Sequence, residues 1–322
     1  PAGRSRTARK GDAGCVAECN RAARRLKPAL NKEETQMSML ARTAAIDPRQ
    51  TPSRRIAFRT FGRSHGPIVR LVSPSDVGEL IKPFVFLDYF EAEPHAGPGF
   101  GFHPHSGIAT VSVILGGQVS YEESTGIKGT LQTGDVEWMR ASGGVWHTGG
   151  MVGTERIKGY QLWLALPPEL ENGPPESQYM GKDLFQSSGP ARVILGRHGN
   201  ATSNISAPET VHYLEVRLKA GERWRFQPAQ GHTVAWVAVH QGALLTPDVV
   251  VKGELAVFEE STGAIEFEAR GDTAFMLGSA VKHPHDLVLG YYSVHTHAAA
   301  LQKGEARIAE IGRQMKAEGR LP

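Results

Sequence analysis

The chain has 322 residues, ordinary apolar content, many glycines and prolines, and a formal net charge of only +3 at pH 7. Residues 1–30 carry eight Lys/Arg against two Asp/Glu, so the basic character belongs to that segment and gives no argument for a nucleic-acid-binding surface. No apolar run is long enough to span a bilayer, and no signal-peptide core is recognisable. The only cysteines, Cys15 and Cys19, leave the rest of the chain without a disulfide framework. We therefore expect a cytoplasmic protein of two modest domains, with no membrane partner and no direct nucleic-acid partner.

Residues 1–53 form a basic segment that we expect to be disordered. The segment is rich in Arg and Ala, poor in acidic residues and without hydrophobic periodicity, so it cannot bury enough apolar surface to order itself. A transit peptide or a basic arm is an alternative for such a composition. Because the chain begins with Pro, a true start at Met37 or Met39 is a further alternative.

Residues 54–170 predict a first β-barrel. Short runs rich in β-branched and aromatic residues alternate with turns that contain Gly, Pro and Asp, which is typical of a sandwich or a small barrel. These runs are residues 56–59, 67–72, 84–90, 110–115, 119–121, 136–139 and 160–164.

Three histidines of this barrel form a candidate metal site. His103 and His105 are two residues apart in the stretch GFHPHSG, so on a β-strand both imidazoles point to the same face. His147 follows 42 residues after His105. If the two segments are neighbouring strands, three imidazoles converge, and such a set with an open position suits Fe, Ni, Cu or Zn. A chance cluster of surface or core histidines is the alternative, which this spacing disfavours.

Residues 171–190 are predicted to be a linker, and residues 191–294 a second barrel that duplicates the first. The stretch YEESTG at residues 121–126 recurs as FEESTG at residues 258–263. Gly134-Asp135 and Gly271-Asp272 keep the same offset of 137 residues. Upstream, residues 111–117 resemble residues 236–242 at a smaller offset. An internal repeat of this kind predicts two tandem barrels.

The duplication predicts that the second barrel holds no metal. On the upstream alignment, Pro228 and Gln230 take the places of His103 and His105. On the downstream alignment, His283 takes the place of His147. One histidine does not hold a metal, so the second barrel is expected to be structural.

Residues 295–322 are predicted to form a C-terminal helix that packs on a barrel. Residues 298–320 lack internal Pro, and Leu301, Ile308, Ile311 and Met315 lie near helical spacing. His295 and His297 precede the helix as a second His-x-His pair, without a third histidine to accompany them.

The sequence resembles the pirins, which are two-barrel members of the cupin superfamily. The resemblance is carried by residues 82–90 (KPFVFLDYF), 103–107 (HPHSG), 134–139 (GDVEWM), His147 and residues 161–163 (QLW), and it runs from about Arg54 to the final helix. It implies an all-β fold of two tandem cupin-type barrels, with Fe(II) or another divalent transition metal bound by His103, His105 and His147. It also implies either quercetin 2,3-dioxygenase activity or service as an iron-dependent transcriptional cofactor.

Two positions depart from the pirin pattern. The family's usual fourth ligand, a Glu two residues after the third histidine, is replaced by Gly149, and a Glu four residues after the second histidine is replaced by Ala109. The predicted site therefore has three neutral imidazoles and no carboxylate. Glu122, Glu123, Glu137 and Glu155 are possible replacements, but each is expected to be solvated.

Two functions remain open at this point. The first is an oxygenase that acts on a small aromatic, flavonol-like substrate, with Phe100, Phe102 and Trp146 lining an apolar entrance. The second is a metal-binding regulator whose iron state alters a surface recognised by a partner protein. An open pocket over the metal would favour the oxygenase, and the glycine-rich loops around the histidines leave room for one. The sequence identifies neither a catalytic residue nor an oligomeric state.

Overall fold

The computed structural model describes residues 54–93 and 99–321. The predicted basic tail, residues 1–53, lies outside this range. The described chain is mostly β-strand, with a short helix α1 (Val77–Ile81), a 3-10 turn (Lys182–Leu184) and a C-terminal helix α2 (Ala298–Ala317). Within the described residues, no helix is long and apolar enough to cross a membrane.

The strands follow one another along the chain as two series. The first series is β1 (Ile56–Thr60), β2 (Arg63–His65), β3 (Ile68–Val72), β4 (Phe84–Ala92), β5 (Phe100–His105), β6 (Ile108–Gly116), β7 (Gln118–Glu123), β8 (Lys128–Gln132), β9 (Val136–Arg140), β10 (Val145–Val152), β11 (Ile157–Ala165) and β12 (Glu176–Met180). The second series is β13 (Ser187–Ser188), β14 (Ala191–Leu195), β15 (Arg197–His198), β16 (Ala201–Thr202), β17 (Val211–Leu218), β18 (Arg223–Phe226), β19 (Val234–Gln241), β20 (Ala243–Thr246), β21 (Asp248–Val251), β22 (Leu255–Phe258), β23 (Ile265–Ala269), β24 (Thr273–Ala280), β25 (Val288–Gly290) and β26 (Ser293–His295).

The strands form two antiparallel barrels, each built from a large and a small sheet. In the N-terminal barrel the large sheet has the order β12-β9-β6-β11-β4-β3-β2 and the small sheet the order β5-β10-β7-β8. The C-terminal barrel repeats this plan with β1-β22-β19-β24-β17-β14-β13 and β18-β23-β20-β21. The predicted fold of two tandem antiparallel barrels with a C-terminal helix is confirmed.

The two large sheets share a core, and the barrels differ in what fills their interiors. Phe84 and Trp236, from different barrels, meet edge to face with ring centroids 5.4 Å apart. The interior of the C-terminal barrel is filled by a buried apolar cluster that includes Phe226, Val237 and Phe267. The interior of the N-terminal barrel instead contains an open cavity. The described interior of the second barrel is therefore packed, whereas that of the first is hollow.

Three strands lie outside the predicted domain boundaries, and one of them, β13, falls in the predicted linker but pairs with β14 at the edge of the second barrel. The predicted boundaries place strand β1 in the first barrel, but it pairs with β22 at the edge of the second. Strand β12 falls in the predicted linker, but it pairs with β9 at the edge of the first barrel. Each barrel therefore completes its large sheet with a strand from outside its predicted boundaries, at equivalent edges.

The predicted downstream alignment of the duplication is wrong. Residues 121–123 end β7, whereas residue 258 ends β22, which is the counterpart of β9. The true counterparts are given by matching backbone bonds: the amide of Gly134 donates to the carbonyl of Ile114, and the amide of Gly253 donates to that of Val239. The short repeat thus relates strands that are not equivalent.

The corrected register also changes the counterparts of the histidines. Met151 pairs with Val119 after the hairpin glycine of the first barrel, and Ala269 pairs with Leu244 in the second. Four residues earlier on each strand lie His147 and Ile265, and their partners on the next strand are His103 and Phe226. Phe226 and Ile265, two apolar core residues, therefore stand where the first barrel carries His103 and His147. The same register places Pro228, not Gln230, at the position of His105, and His283 is not the counterpart of His147.

Helix α2 packs as predicted. It begins after His297, whose ring nitrogen accepts a hydrogen bond from the amide of Ala300 at 3.2 Å. Ile308 and Met315 are buried, and Ile311 is half-buried. The helix lies against β10, on the outer side of the small sheet that carries the histidines.

Candidate metal centre

Strands β5 and β10 bring the three predicted histidines together. The antiparallel register places His147 opposite His103 and Val145 opposite His105. The ring centroids are separated by 4.4 Å for His103 and His147, 4.9 Å for His105 and His147, and 5.0 Å for His103 and His105. One ring nitrogen of each residue lies within 4.8 Å of the others. Side-chain alternation on paired strands is thus sufficient to build the cluster.

Each imidazole has its Nδ1 atom directed at an oxygen. The Nδ1 of His103 is 2.9 Å from the carbonyl of Gly101, and that of His105 is 3.0 Å from the carbonyl of Tyr292. The Nδ1 of His147 is 3.7 Å from Oε1 of Glu137. A carbonyl can only accept, so Nδ1 of His103 and of His105 carries the proton and Nε2 keeps its lone pair. The buried Nε2 atoms of His105 and His147 have no hydrogen-bond partner in the described structure.

The surroundings of the cluster favour the neutral form of His103 and of His105. Burial lowers the pKa of His103 to about 4, and the nearby His147 acts in the same direction. Burial likewise lowers the pKa of His105 well below its ordinary value. Neutral imidazoles are the form that binds a metal ion.

A cavity of about 530 Å³ opens above His103 and His147. Its wall is largely aromatic and comprises Phe86, Phe90, Phe100, Phe102, Tyr121, Trp163, Tyr291 and Tyr292. Besides the two histidines, the polar side chains of the wall include Arg70, Asp88, Ser112, Ser120, Glu137, Thr148 and Gln161. Arg70 and Asp88 form a bidentate ion pair with two contacts of 2.9 Å. A pocket of this size with a few polar groups suits a small aromatic molecule.

The predicted entrance is right for two residues and wrong for a third. Phe100, which is 45% exposed, and Phe102 line the cavity. Trp146 does not: it precedes His147 on the same strand and so faces the other side, where its Nε1 donates to the carbonyl of Ile308 at 2.7 Å. Tyr291 and Tyr292 take part in the entrance instead. They lie far along the chain from the histidines, so no local sequence pattern links them to the site.

The two departures from the pirin pattern occupy different places. Gly149 lines the cavity and lacks a positive φ. Ala109 is fully buried in the core shared by the two barrels, so the expectation that a carboxylate at this position would lie near the metal is wrong.

Two carboxylates expected to be solvated are buried beside the histidines. Glu123 is 0% exposed and pairs in register with His147, and Glu137 is 4% exposed. Oε2 of Glu137 accepts from the Ser112 hydroxyl at 2.5 Å, and the Tyr179 hydroxyl donates to Oε1 of Glu123 at 2.5 Å. The expectation of solvation holds for Glu155, which is exposed, and in part for Glu122, which is half-exposed.

The charge state of Glu137 follows from its neighbours. Burial by itself raises the pKa of Glu137, but the interactions with His147 and the hydroxyls of Ser112 and Tyr179 outweigh burial and hold the pKa below its usual range. Burial and the two carboxylates raise the pKa of Tyr179 well above its ordinary value. Glu137 is therefore an anion and Tyr179 a neutral donor at neutral pH.

The later histidines do not form a second centre. Within the described residues, only His103, His105 and His147 form a group of three metal-binding side chains. His295 is buried and joins Ser106 at 3.0 Å to Glu171 at 3.1 Å. This chain of contacts anchors the segment after β25 to the strand that carries His105.

Comparisons with known proteins agree with this architecture. The pirin family profile matches residues 68–164. A Pseudomonas aeruginosa protein provisionally named quercetin 2,3-dioxygenase is 31% identical over 250 residues, covering 70% of this chain and 84% of that protein. A pirin-like protein of Solanum lycopersicum is 30% identical over 200 residues, covering 61% of this chain and 68% of that protein.

Solved structures share the fold. A crystal structure of quercetin 2,3-dioxygenase from Acinetobacter baumannii superposes with a TM-score of 0.70 at 23% identity, covering 81% of this chain and 96% of that one. A bacterial pirin from Escherichia coli, solved in complex with nickel(II), gives a TM-score of 0.56 at 21% identity, covering 71% of this chain and 98% of that one. With its two barrels, its His-x-His strand and its relatives, the chain belongs to the pirin family.

Proposed function

We propose that this pirin is a metal-dependent oxygenase of the quercetin 2,3-dioxygenase type, acting on a flavonol-like substrate. The observation that carries the proposal is the position of two histidines, His103 and His147, at the wall of an aromatic cavity of about 530 Å³. The relative from Pseudomonas aeruginosa, with its provisional dioxygenase name, supports the same activity.

The residues present fit a divalent metal ion. The buried Nε2 atoms of His105 and His147 have no hydrogen-bond partner, which costs free energy of folding unless a ligand binds to them. Three imidazoles, two of which have their Nδ1 protons fixed by backbone carbonyls, form a donor set that suits Fe(II) and other late transition metals. We assign Fe(II) to His103, His105 and His147, and the nickel-bound pirin from Escherichia coli supports a divalent ion at such a fold.

When bound, the ion would supply the redox and Lewis-acid chemistry that activates oxygen and the substrate hydroxyl. The chain itself binds and orients the substrate. Phe86 and Trp163 stack on each other with centroids 4.0 Å apart, and this aromatic wall favours a flat ring system. Gln161 offers hydrogen-bonding groups on the same wall. At the rim, Phe100 and Tyr292 limit the access of bulk water.

The open cavity favours catalysis over the regulatory alternative. A regulator that reports its metal state through its surface has no need of an aromatic space above the metal. The proposed partner is accordingly a small aromatic molecule.

Purified protein tests the proposal. Elemental analysis after purification without added metal should find about one transition-metal ion per chain. Metal-loaded protein given quercetin should consume oxygen and bleach the flavonol absorbance, and His147→Ala protein should do neither. Protein that binds metal but leaves a panel of flavonols unchanged would refute the oxygenase assignment.

A further inference from the structure

We propose that Glu137, placed behind His147, supplies the negative charge that the metal centre lacks in its first coordination sphere. The inference rests on the proposed metal site but not on the proposed substrate. Gly149 stands where pirins usually carry a carboxylate ligand. The carboxylate that balances the charge of the ion is instead Glu137, which lies on the far side of the His147 imidazole from the ion.

The geometry of Glu137 suits this role. Its Oε1 lies 3.7 Å from Nδ1 of His147, while Nε2 of the same ring is the buried atom without a partner. A metal-binding histidine usually directs its other ring nitrogen at a carboxylate or carbonyl, which fixes the ring and makes it a stronger donor. The other two histidines have backbone carbonyls in this position, so His147 is the only one of the three whose Nδ1 faces a negatively charged group.

Tyr179 keeps Glu137 available for His147. The Tyr179 hydroxyl lies 2.5 Å from Oε1 of Glu123 and 3.4 Å from Oε1 of Glu137. A phenol has one proton to donate, and the shorter contact assigns it to Glu123. The Thr125 hydroxyl also donates to Glu123, at 2.6 Å. Oε1 of Glu137 therefore faces His147 without a strong competing donor.

The balance of charge supports a cation at this place. Among the described residues, neither Glu123 nor Glu137 forms an ion pair with Lys or Arg, although both are buried. An uncompensated buried carboxylate is costly. A divalent ion on the far side of His147 would balance this charge without touching either carboxylate.

The test measures metal affinity in the full chain. Metal-free protein is titrated with Ni²⁺ in competition with a chromogenic chelator, in wild type and in Glu137→Gln, Glu137→Asp, Glu122→Gln and His147→Ala variants. Glu137→Gln keeps the shape and removes the charge, and we expect about 10- to 100-fold weaker binding. Glu137→Asp keeps the charge and should recover part of the affinity. Glu122→Gln is the matched control, because Glu122 pairs with Arg320 at 2.9 Å, and it should bind as wild type does.

Two further readouts separate this role from a purely structural one. The melting temperature of metal-free Glu137→Gln protein should stay within a few degrees of wild type, which shows that the fold is intact. The visible absorption bands of a Co²⁺-loaded sample should shift in Glu137→Gln and not in Glu122→Gln, because the donor strength of His147 changes only in the first.

The outcomes are distinct. Equal Ni²⁺ affinity in wild type and Glu137→Gln would overturn the role of Glu137 and leave the metal site standing. A loss as large as that of His147→Ala would show that Glu137 binds the ion directly, which also overturns it. Wild-type protein that binds no metal would refute the metal site and this inference together. Metal binding that weakens as expected, without flavonol turnover, would refute only the oxygenase.

Discussion

Gly149→Glu should tighten divalent metal binding. Gly149 pairs with Tyr121 two residues after the pair of His147 with Glu123, so on this ladder a side chain at residue 149 shares the face of His147. A Cβ atom there would lie 3.4 Å from the carbonyl oxygen of Ser120 and 3.7 Å from Val119, which are ordinary contacts. Because the φ of Gly149 is not positive, a Glu at this position causes no backbone strain.

The gain in affinity can be estimated from opposing terms. A carboxylate about 4 Å from a divalent ion gains about 8 kcal/mol at an effective dielectric constant of about 20. Removing that carboxylate from water costs several kcal/mol, and ordering the side chain costs about 2 kcal/mol. A surplus of about 1.4 to 3 kcal/mol remains, which corresponds to a Kd roughly 10- to 100-fold lower.

The assay is a chelator competition titration of wild type, Gly149→Glu and the neutral isostere Gly149→Gln. Only the charged variant should bind more tightly. If Gly149→Glu protein is folded and its affinity is unchanged or weaker, residue 149 does not face the metal and the argument from the ladder fails. Equal gains for Glu and Gln would show that a neutral oxygen ligand, not charge, was missing.

Three further predictions concern other parts of the molecule. Replacing His103 or His147 by Ala should abolish metal binding, whereas His283→Ala should leave the stoichiometry at its wild-type value in elemental analysis; loss of metal in the last variant would contradict the confinement to the N-terminal barrel. Burial lowers the pKa of His240 to about 4; the charge of Glu215 acts against burial, whereas the charges of Arg217, Lys158 and Lys252 act in the same direction as burial. As the pH falls, the unfolded chain therefore takes up this proton before the folded chain does, and the free energy of unfolding falls between about pH 6.5 and pH 4 by up to about 3 kcal/mol. Urea titrations at pH 7 and pH 5 should show a smaller loss of stability in His240→Leu than in wild type. An equal loss in both proteins would refute the role of His240. Tyr292→Ala should raise KM for a flavonol several-fold and leave metal stoichiometry unchanged, because His105 bonds to the backbone carbonyl of residue 292; loss of metal would show that the side chain is needed to hold that carbonyl.

The histidine cluster could be predicted from the sequence because its geometry is local. His103 and His105 share a face by alternation alone, and one strand pairing then adds His147. The same rule, applied to the neighbouring residue, excludes Trp146 from the cavity. Residues 146 and 147 cannot face the same side of a regular strand, so Trp146 points outward, to the carbonyl of Ile308.

The buried carboxylates and the entrance tyrosines could not be predicted in this way. Side-chain alternation places Glu137 and Trp138 on opposite faces of the strand, with Glu137 on the inner face of the barrel. It does not indicate whether the interior of the barrel is filled or hollow. Tyr179 comes from a segment that has no obvious strand pattern, and Tyr292 comes from the chain after the second barrel. Their contacts with the site depend on long-range pairing, which composition and spacing do not encode.

The residues at equivalent inward-facing positions of the two barrels distinguish a hollow interior from a filled one. Once the register is taken from backbone bonds, His103 and His147 correspond to Phe226 and Ile265, two residues of the apolar cluster that fills the second interior. Both interiors are lined by equivalent strands, so the difference lies in these inward positions. Aromatic and aliphatic side chains there close the second barrel, because their packing stabilises it. Imidazoles and Glu137 in the first barrel provide no such packing, and their cost in stability is offset only if the interior binds something.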